Sequence, residues 1–164
     1  MTLPVVQVRT AQPDEVDAVV ALERVTEGAP HWPREEYVQM IGGGPGAVVR
    51  RCLFVAAVEG NEGVSGFAVG KVIGPGGDVV GEIESVAVAG TVRRAGLGRA
   101  LCHRVIEWCE QQGAGVTELE VRRRSAGAQA LYRELGFVEV GVRANYYRDP
   151  VDDAVLMNRV CRAD

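Results

Sequence analysis

The chain has 164 residues, is 47% apolar and 24% charged, and carries a formal net charge of -4. That length suits one domain over residues 1-164 with a core of its own, and the acidic balance counts against nucleic acid as a partner. No apolar run is long enough to span a bilayer and the first residues carry no signal-peptide core, so a cytoplasmic protein with no membrane association is expected.

Val5 to Arg9 alternates weakly and reads as a first strand. Pro13-Asp14-Glu15 starts a helix with acid in its first turn, and Val16, Val19, Val20 and Leu22 give it an apolar face as far as Gly28-Ala29-Pro30. After the loop His31-Trp32-Pro33, Arg34 to Ile41 reads as a second helix, stopped by the glycines from Gly42 to Gly46. Three strands then form an antiparallel meander: Cys52 to Val58, Val64 to Ile73 and Val79 to Val88, with turns at Glu59–Gly63 and Gly74–Asp78.

Leu97, Leu101, Val105 and Trp108 recur at helical spacing, and Gly113 closes that helix. Val116 to Val121 is a strand reached through a helix, so it should lie parallel to Val79–Val88. Ser125 reads as the N-cap of a helix through Ala128, Leu131, Tyr132 and Leu135, ended by Gly136. Phe137 to Arg143 and Ala154 to Val160 are the last strands, with a polar loop, Ala144 to Asp153, between them. The order implies an α+β fold, a mostly antiparallel mixed sheet of about six to seven strands with one parallel pair, flanked by about four helices.

Cys52, Cys102, Cys109 and Cys161 form no C-x-x-C pair and no histidine is placed to complete a zinc site. They read as buried free thiols, and no metal is expected. Of the two histidines, His103 falls on the solvent side of its helix and His31 in the loop before the second helix.

The stretch Glu82 to Ala100 combines a strand, a basic glycine-containing turn and a helix N-terminus, which suits a phosphate-bearing ligand. Gly96-Leu97-Gly98 lacks the third glycine of G-x-G-x-x-G, since Leu101 stands there, and no G-K-[ST] occurs. A dinucleotide fingerprint and a Walker loop are therefore set aside. The local arginines at 93, 94 and 99, and at 122 to 124, suit a small polyanion better than a polymer.

Arg93-Arg94-Ala95-Gly96-Leu97-Gly98, followed by Arg99-Ala100, resembles the acetyl-CoA signature [Q/R]-x-x-G-x-[G/A] of the GNAT N-acetyltransferases. The likeness continues through Ser85-Val86-Ala87-Val88, Leu119-Glu120-Val121-Arg122, Ala130-Leu131-Tyr132 and Leu135-Gly136-Phe137. Leu119–Arg122, Ala130–Phe137 and Arg143-Ala144-Asn145-Tyr146-Tyr147 look most like the RimI-type subgroup, the ribosomal-protein-alanine N-acetyltransferases.

The resemblance implies acetyl-CoA as cofactor. Backbone N–H groups of Arg94 to Arg99, through Ala95, Gly96, Leu97 and Gly98, would wrap its pyrophosphate, with Arg93 and Ala100 as further cofactor contacts. Val86, Ala87 and Val88 would splay from the Val116–Val121 strand and pair with its pantetheine arm. The Val86 N–H would face the thioester oxygen. Glu120 matches the subgroup's base and Glu82 the base position of another GNAT branch, so both stand as candidates. Tyr132 matches the acid that protonates the leaving thiolate. Ser125 replaces the subgroup's cofactor-binding Asn and is either a cofactor contact or only a helix cap. Glu84 would help attract an ammonium group, and Trp32, Tyr146 and Tyr147 would line the acceptor groove.

The implied reaction is direct acetyl transfer to a primary amine in a ternary complex. A protein N-terminus of the ribosomal-protein-alanine type comes first. A small-molecule amine, a lysine side chain and a CoA-binding module without turnover remain alternatives. Either a monomer or a homodimer is compatible with the sequence.

Overall fold

A computed structural model describes residues 4–42, 48–74, 78–92 and 95–161. A seven-stranded sheet organises them: β1 (Val6–Thr10), β2 (Val49–Val58), β3 (Asn61–Ile73), β4 (Val79–Val88), β5 (Ala114–Arg122), β6 (Val138–Tyr147) and β7 (Asp152–Val160). Their spatial order is β1-β2-β3-β4-β5-β7-β6. Every neighbouring pair is antiparallel except β4 and β5. The α-helices among the described residues are α1 (Val16–Val25), α2 (Arg34–Ile41), α3 (Leu97–Gln111) and α4 (Ala126–Glu134). The single parallel step is the one expected, because α3 carries the chain back across the sheet between β4 and β5.

Alternation along the strands divides the core into two layers. In β2, Cys52, Phe54 and Ala56 face one side, and Leu53 and Val55 face the other. The first side packs on α3 through Leu97, Leu101, Cys102, Val105, Ile106 and Cys109. The second packs on α1 and α2 through Val16, Val19, Tyr37 and Met40. A fully buried side chain such as Leu101 contributes about 1.5–3 kcal/mol relative to an exposed one. α3 lies so close to β4 that a Cβ at Gly81 would stand 2.8 Å from the Cys109 Cβ, which only glycine avoids.

Several boundaries move. Pro13–Glu15 is a 3-10 turn ahead of α1, and α1 ends at Val25, before Gly28. The hairpin expected over Glu59–Gly63 is tighter: Val58 pairs with Asn61, leaving Glu59 and Gly60 as the turn. The expected loop from Ala144 to Asp153 is mostly strand. β6 continues to Tyr147, which pairs with Asp152, and the register slips between Arg143 and Tyr147. Asn145 takes a left-handed φ of 53° there, and its N–H donates to Asp153 Oδ1 at 2.9 Å. Asparagine accepts that conformation more readily than most residues. The glycine stop at 43–46 and the turn at 75–77 lie outside the described residues.

All four cysteines are free; Cys52, Cys102 and Cys109 are buried and Cys161 is partly exposed. Burial pushes the Cys102 thiol up to about 12 and the Cys109 thiol up to about 11. Among the described residues no helix is long and apolar enough to cross a membrane.

Candidate active site

The sheet splits between its two parallel strands. Pairing runs from Val79 opposite Ala114 to Glu82 opposite Glu118 and then stops, while β5 goes on pairing with β7 as far as Arg122. A bulge in β4 accompanies the split: Val69 faces Ser85 and Gly70 faces Ile83, so Glu84 is the extra residue. Past it, β4 stays bound to β3 alone. The Ala89 N–H donates to Ser65 O at 2.8 Å. By two-residue alternation, Ala87 and Ser85 also direct their backbone groups toward β3, and Val86 and Val88 direct theirs into the gap.

A cavity of about 200 Å³ occupies this gap. β4 contributes Ile83 to Val86, β5 contributes Glu120 to Arg122, and Ser125, Tyr132 and Tyr147 complete that side. The opposite wall is Thr26 to Pro30, from the connection between α1 and α2. Because Val121 and Tyr132 belong to the α3 side of the sheet, and Glu120 alternates to the other, the opening reaches both faces. Glu120 also lines a second cavity of about 280 Å³ with Glu82, Glu118, Val140 and Arg143.

The acidic residues differ in their pairing. The Glu84 side chain, only 8% exposed, is held by Arg51 at 2.9 Å and Lys71 at 3.1 Å, so its charge is already answered. Glu82 is 3.2 Å from the same Lys71, and burial raises its carboxyl above the usual range. It lines the second cavity and not the first. Glu120 lies 3.4 Å from the half-exposed Arg143. Of the expected pair of bases, Glu120 is therefore the one brought beside Tyr132 in the gap.

Burial pushes the Tyr132 hydroxyl far up, so the ring keeps its proton through the neutral range. Its ring meets Phe137 edge-on at 6.0 Å. Tyr147 stacks under the Arg122 guanidinium at 4.2 Å, and burial and the nearby Glu120 carboxylate raise its hydroxyl. Tyr146 is exposed, beside Arg143, and is not among the residues lining the cavity. Trp32 does not line it either: its ring packs on Tyr37, with centroids 5.8 Å apart.

Gly96 precedes α3 with a φ of 82°, a conformation that disfavours any side chain. It makes no side-chain cap, so the first-turn N–H groups of Leu97, Gly98 and Arg99 have no intrahelical partner. Gly98 faces Leu131 and Val88, at the end of the split strand. Arg99 pairs with Glu134 of α4 at 2.6 Å. Arg93 and Arg94 lie outside the described residues. Arg122 and Arg123 are engaged by Tyr147 and Asp153, not gathered into a free basic patch.

Ser125 stands at the N-cap position of α4, yet its side chain makes no capping bond. Gln129 stitches that turn instead, donating its amide to Arg122 O at 3.0 Å and Arg123 O at 2.8 Å. The Ser125 side of the cavity is thus not closed by a cap.

Thr26 to Pro30, expected only as a helix end, and Ser85, expected only as strand, are cavity residues that no motif marks. The pair Gly28-Pro30 was the available signal that the chain turns there.

A sequence profile of the acetyltransferase (GNAT) family matches residues 18–137. The [ribosomal protein bS18]-alanine N-acetyltransferase of Escherichia coli K12 is 44% identical over 75 residues, covering 44% of this chain and 51% of that protein. The chain spans about half the length of the curated relatives it matches. The crystal structure of the ribosomal-protein-S18-alanine N-acetyltransferase from Escherichia coli superposes with a TM-score of 0.76 at 28% identity, over 98% of this chain and 97% of that one. A structure of the NatC complex bound to Gag peptide and CoA shares the fold, with a TM-score of 0.79 at 17% identity over 96% and 99% of the two chains.

Proposed function

The chain belongs to the acetyltransferase (GNAT) family, and from that premise we propose that it acetylates the N-terminal α-amine of a protein, with acetyl-CoA as donor. One observation carries the reading. The β4–β5 split brings Val86, with its unpaired backbone, Glu120 and Tyr132 around one cavity.

Acetyl-CoA fits the residues present. The open first turn of α3 behind Gly96 offers N–H groups to a pyrophosphate, and the free edge of β4 offers strand-type pairing to an extended amide arm. Bound there, the cofactor supplies an activated acetyl group. The Val86 N–H would stabilise negative charge growing on the carbonyl oxygen. Glu120 takes the proton of the incoming amine, directly or through a water. An α-amine with an ordinary pKa of about 7.7–8.0 needs much less help than a lysine at about 10.4. Tyr132, held protonated by burial, would pass its proton to the sulfur as the C–S bond breaks, so that the leaving group departs as a thiol.

The acceptor side favours a peptide over a small amine. α1 and α2 pack on β2, β3 and β4, whereas Glu118, Val138 and Val140 are exposed on the adjoining strands. From Tyr132, the path past Glu120 therefore leads onto open strand surface. The bS18 relatives supply the first acceptor to try, a ribosomal-protein N-terminus beginning with alanine.

Mass spectrometry of a peptide panel incubated with acetyl-CoA tests this. Acetylation at the free α-amine, and none on peptides with a blocked N-terminus, is expected. Products on lysine side chains only, or on small amines only, would contradict it.

A further inference from the structure

The wall facing Glu120 is held by a carboxylate that takes no part in the proposed reaction. Glu23, on the last turn of α1, is 0% exposed. One oxygen, Oε2, accepts the Trp32 N–H at 3.0 Å and the Tyr37 hydroxyl. The other meets the Arg24 guanidinium, and His31 Nδ1 stands 3.5 Å from it. Arg24 also donates to Trp32 O at 3.0 Å.

A buried carboxylate is unfavourable unless its oxygens are answered, and here the donors come from both sides of one connection. The segment between them, Thr26 to Pro30, forms the cavity wall. Thr26 closes the near end, its hydroxyl donating to Leu22 O at 2.7 Å. Gly28, at the tip, lies against the opposite side of the cleft: a Cβ there would stand 3.6 Å from Arg122 Nε, and Arg122 carries Tyr147. A small shift of the wall therefore changes the width of the cleft where the acceptor enters.

We propose that Glu23 is a positioning residue for the acceptor: by joining the end of α1 to Trp32 and to Tyr37 of α2, it fixes the Thr26–Pro30 wall opposite Glu120. The role rests on the reading that the cleft receives a peptide amine. It implies that Glu23 acts on acceptor binding, and neither on cofactor binding nor on the chemical step.

Steady-state kinetics with acetyl-CoA and a peptide that the wild-type protein acetylates provides the test. Glu23→Ala should raise the peptide KM about tenfold, the scale of a lost buried charge-assisted hydrogen bond, and leave the acetyl-CoA KM and kcat nearly unchanged. Glu23→Gln keeps one acceptor oxygen for the Trp32 N–H and should recover most of that loss. If Glu23→Ala does not fold, Glu23→Gln carries the test, with a peptide KM raised about threefold as the expected result. An unchanged peptide KM in the folded variant, or an acetyl-CoA KM rising in step with it, would overturn the role. If the wild-type protein acetylates no peptide, the functional reading fails by itself. Hydrogen exchange then decides the role: Glu23→Gln must speed exchange at 26–32 and leave α3 unaltered, and equal rates in that segment would refute it.

Discussion

At the scale of single residues, the proposed chemistry separates Glu120 from Glu82. Glu120→Gln should lower kcat by about 10²-fold or more, and Tyr132→Phe by about 10²-fold, the range of one acid–base group. Glu82→Gln should cost less than about tenfold, because Glu82 is tied to Lys71 and does not line the cavity that holds Tyr132. Equal losses for Glu82 and Glu120 in a kcat comparison would reverse the assignment. Glu120 and Tyr132 stand out in the sequence because each sits inside a run that resembles the family's motifs. The pairing of Glu84 does not. Its partner Arg51 is 33 residues away, and only the register of β2, β3 and β4 brings them together. Family likeness makes Trp32 an expected groove residue. Its packing on Tyr37 depends on how α1 and α2 meet, which neither helix reveals alone.

At the scale of elements, α3 needs glycine at its entry. Gly96→Ala forces a side chain into a φ of 82° and should destabilise the fold by about 1–2 kcal/mol. It should also raise the acetyl-CoA KM and leave the peptide KM alone, a contrast with Glu23. Chemical denaturation and kinetics on the same variant check both; a rise in the peptide KM alone would contradict the role given to this turn. α2 and β4 were readable to the residue, since a proline and acidic residues open α2 and glycine turns flank β4. The second half of β6 was not. Asn145 and the slipped register break the alternation that marks a strand, so the polar run from Ala144 looked like loop.

At the scale of the whole molecule, three of the four tyrosines, Tyr37, Tyr132 and Tyr147, hold their protons more tightly than in the unfolded chain, chiefly through burial. Their unfolded pKa is about 10, so the contribution is fully present below that pH. As pH rises above about 10, the unfolded chain loses these protons first, and stability is lost progressively toward the folded values. Denaturant titrations should show a falling midpoint above pH about 10, with a shallower fall in Tyr132→Phe. A midpoint that stays level in that range would show that these hydroxyls are not buried as described.

The architecture was legible as a whole because three hairpin-linked strands followed by a helix leave few ways to close a sheet. The split itself was expected only from family likeness; nothing in the local sequence of β4 or β5 marks where pairing stops. Hydrogen exchange on the intact protein, with and without acetyl-CoA, tests it most directly. The amides of Val86 and Val88 face the gap and should exchange quickly in the free protein. Acetyl-CoA should slow them together with Leu97, Gly98 and Arg99. Unaltered exchange at Val86 and Val88, with protection elsewhere in the sheet, would contradict the claim that the split strand is where the cofactor is held.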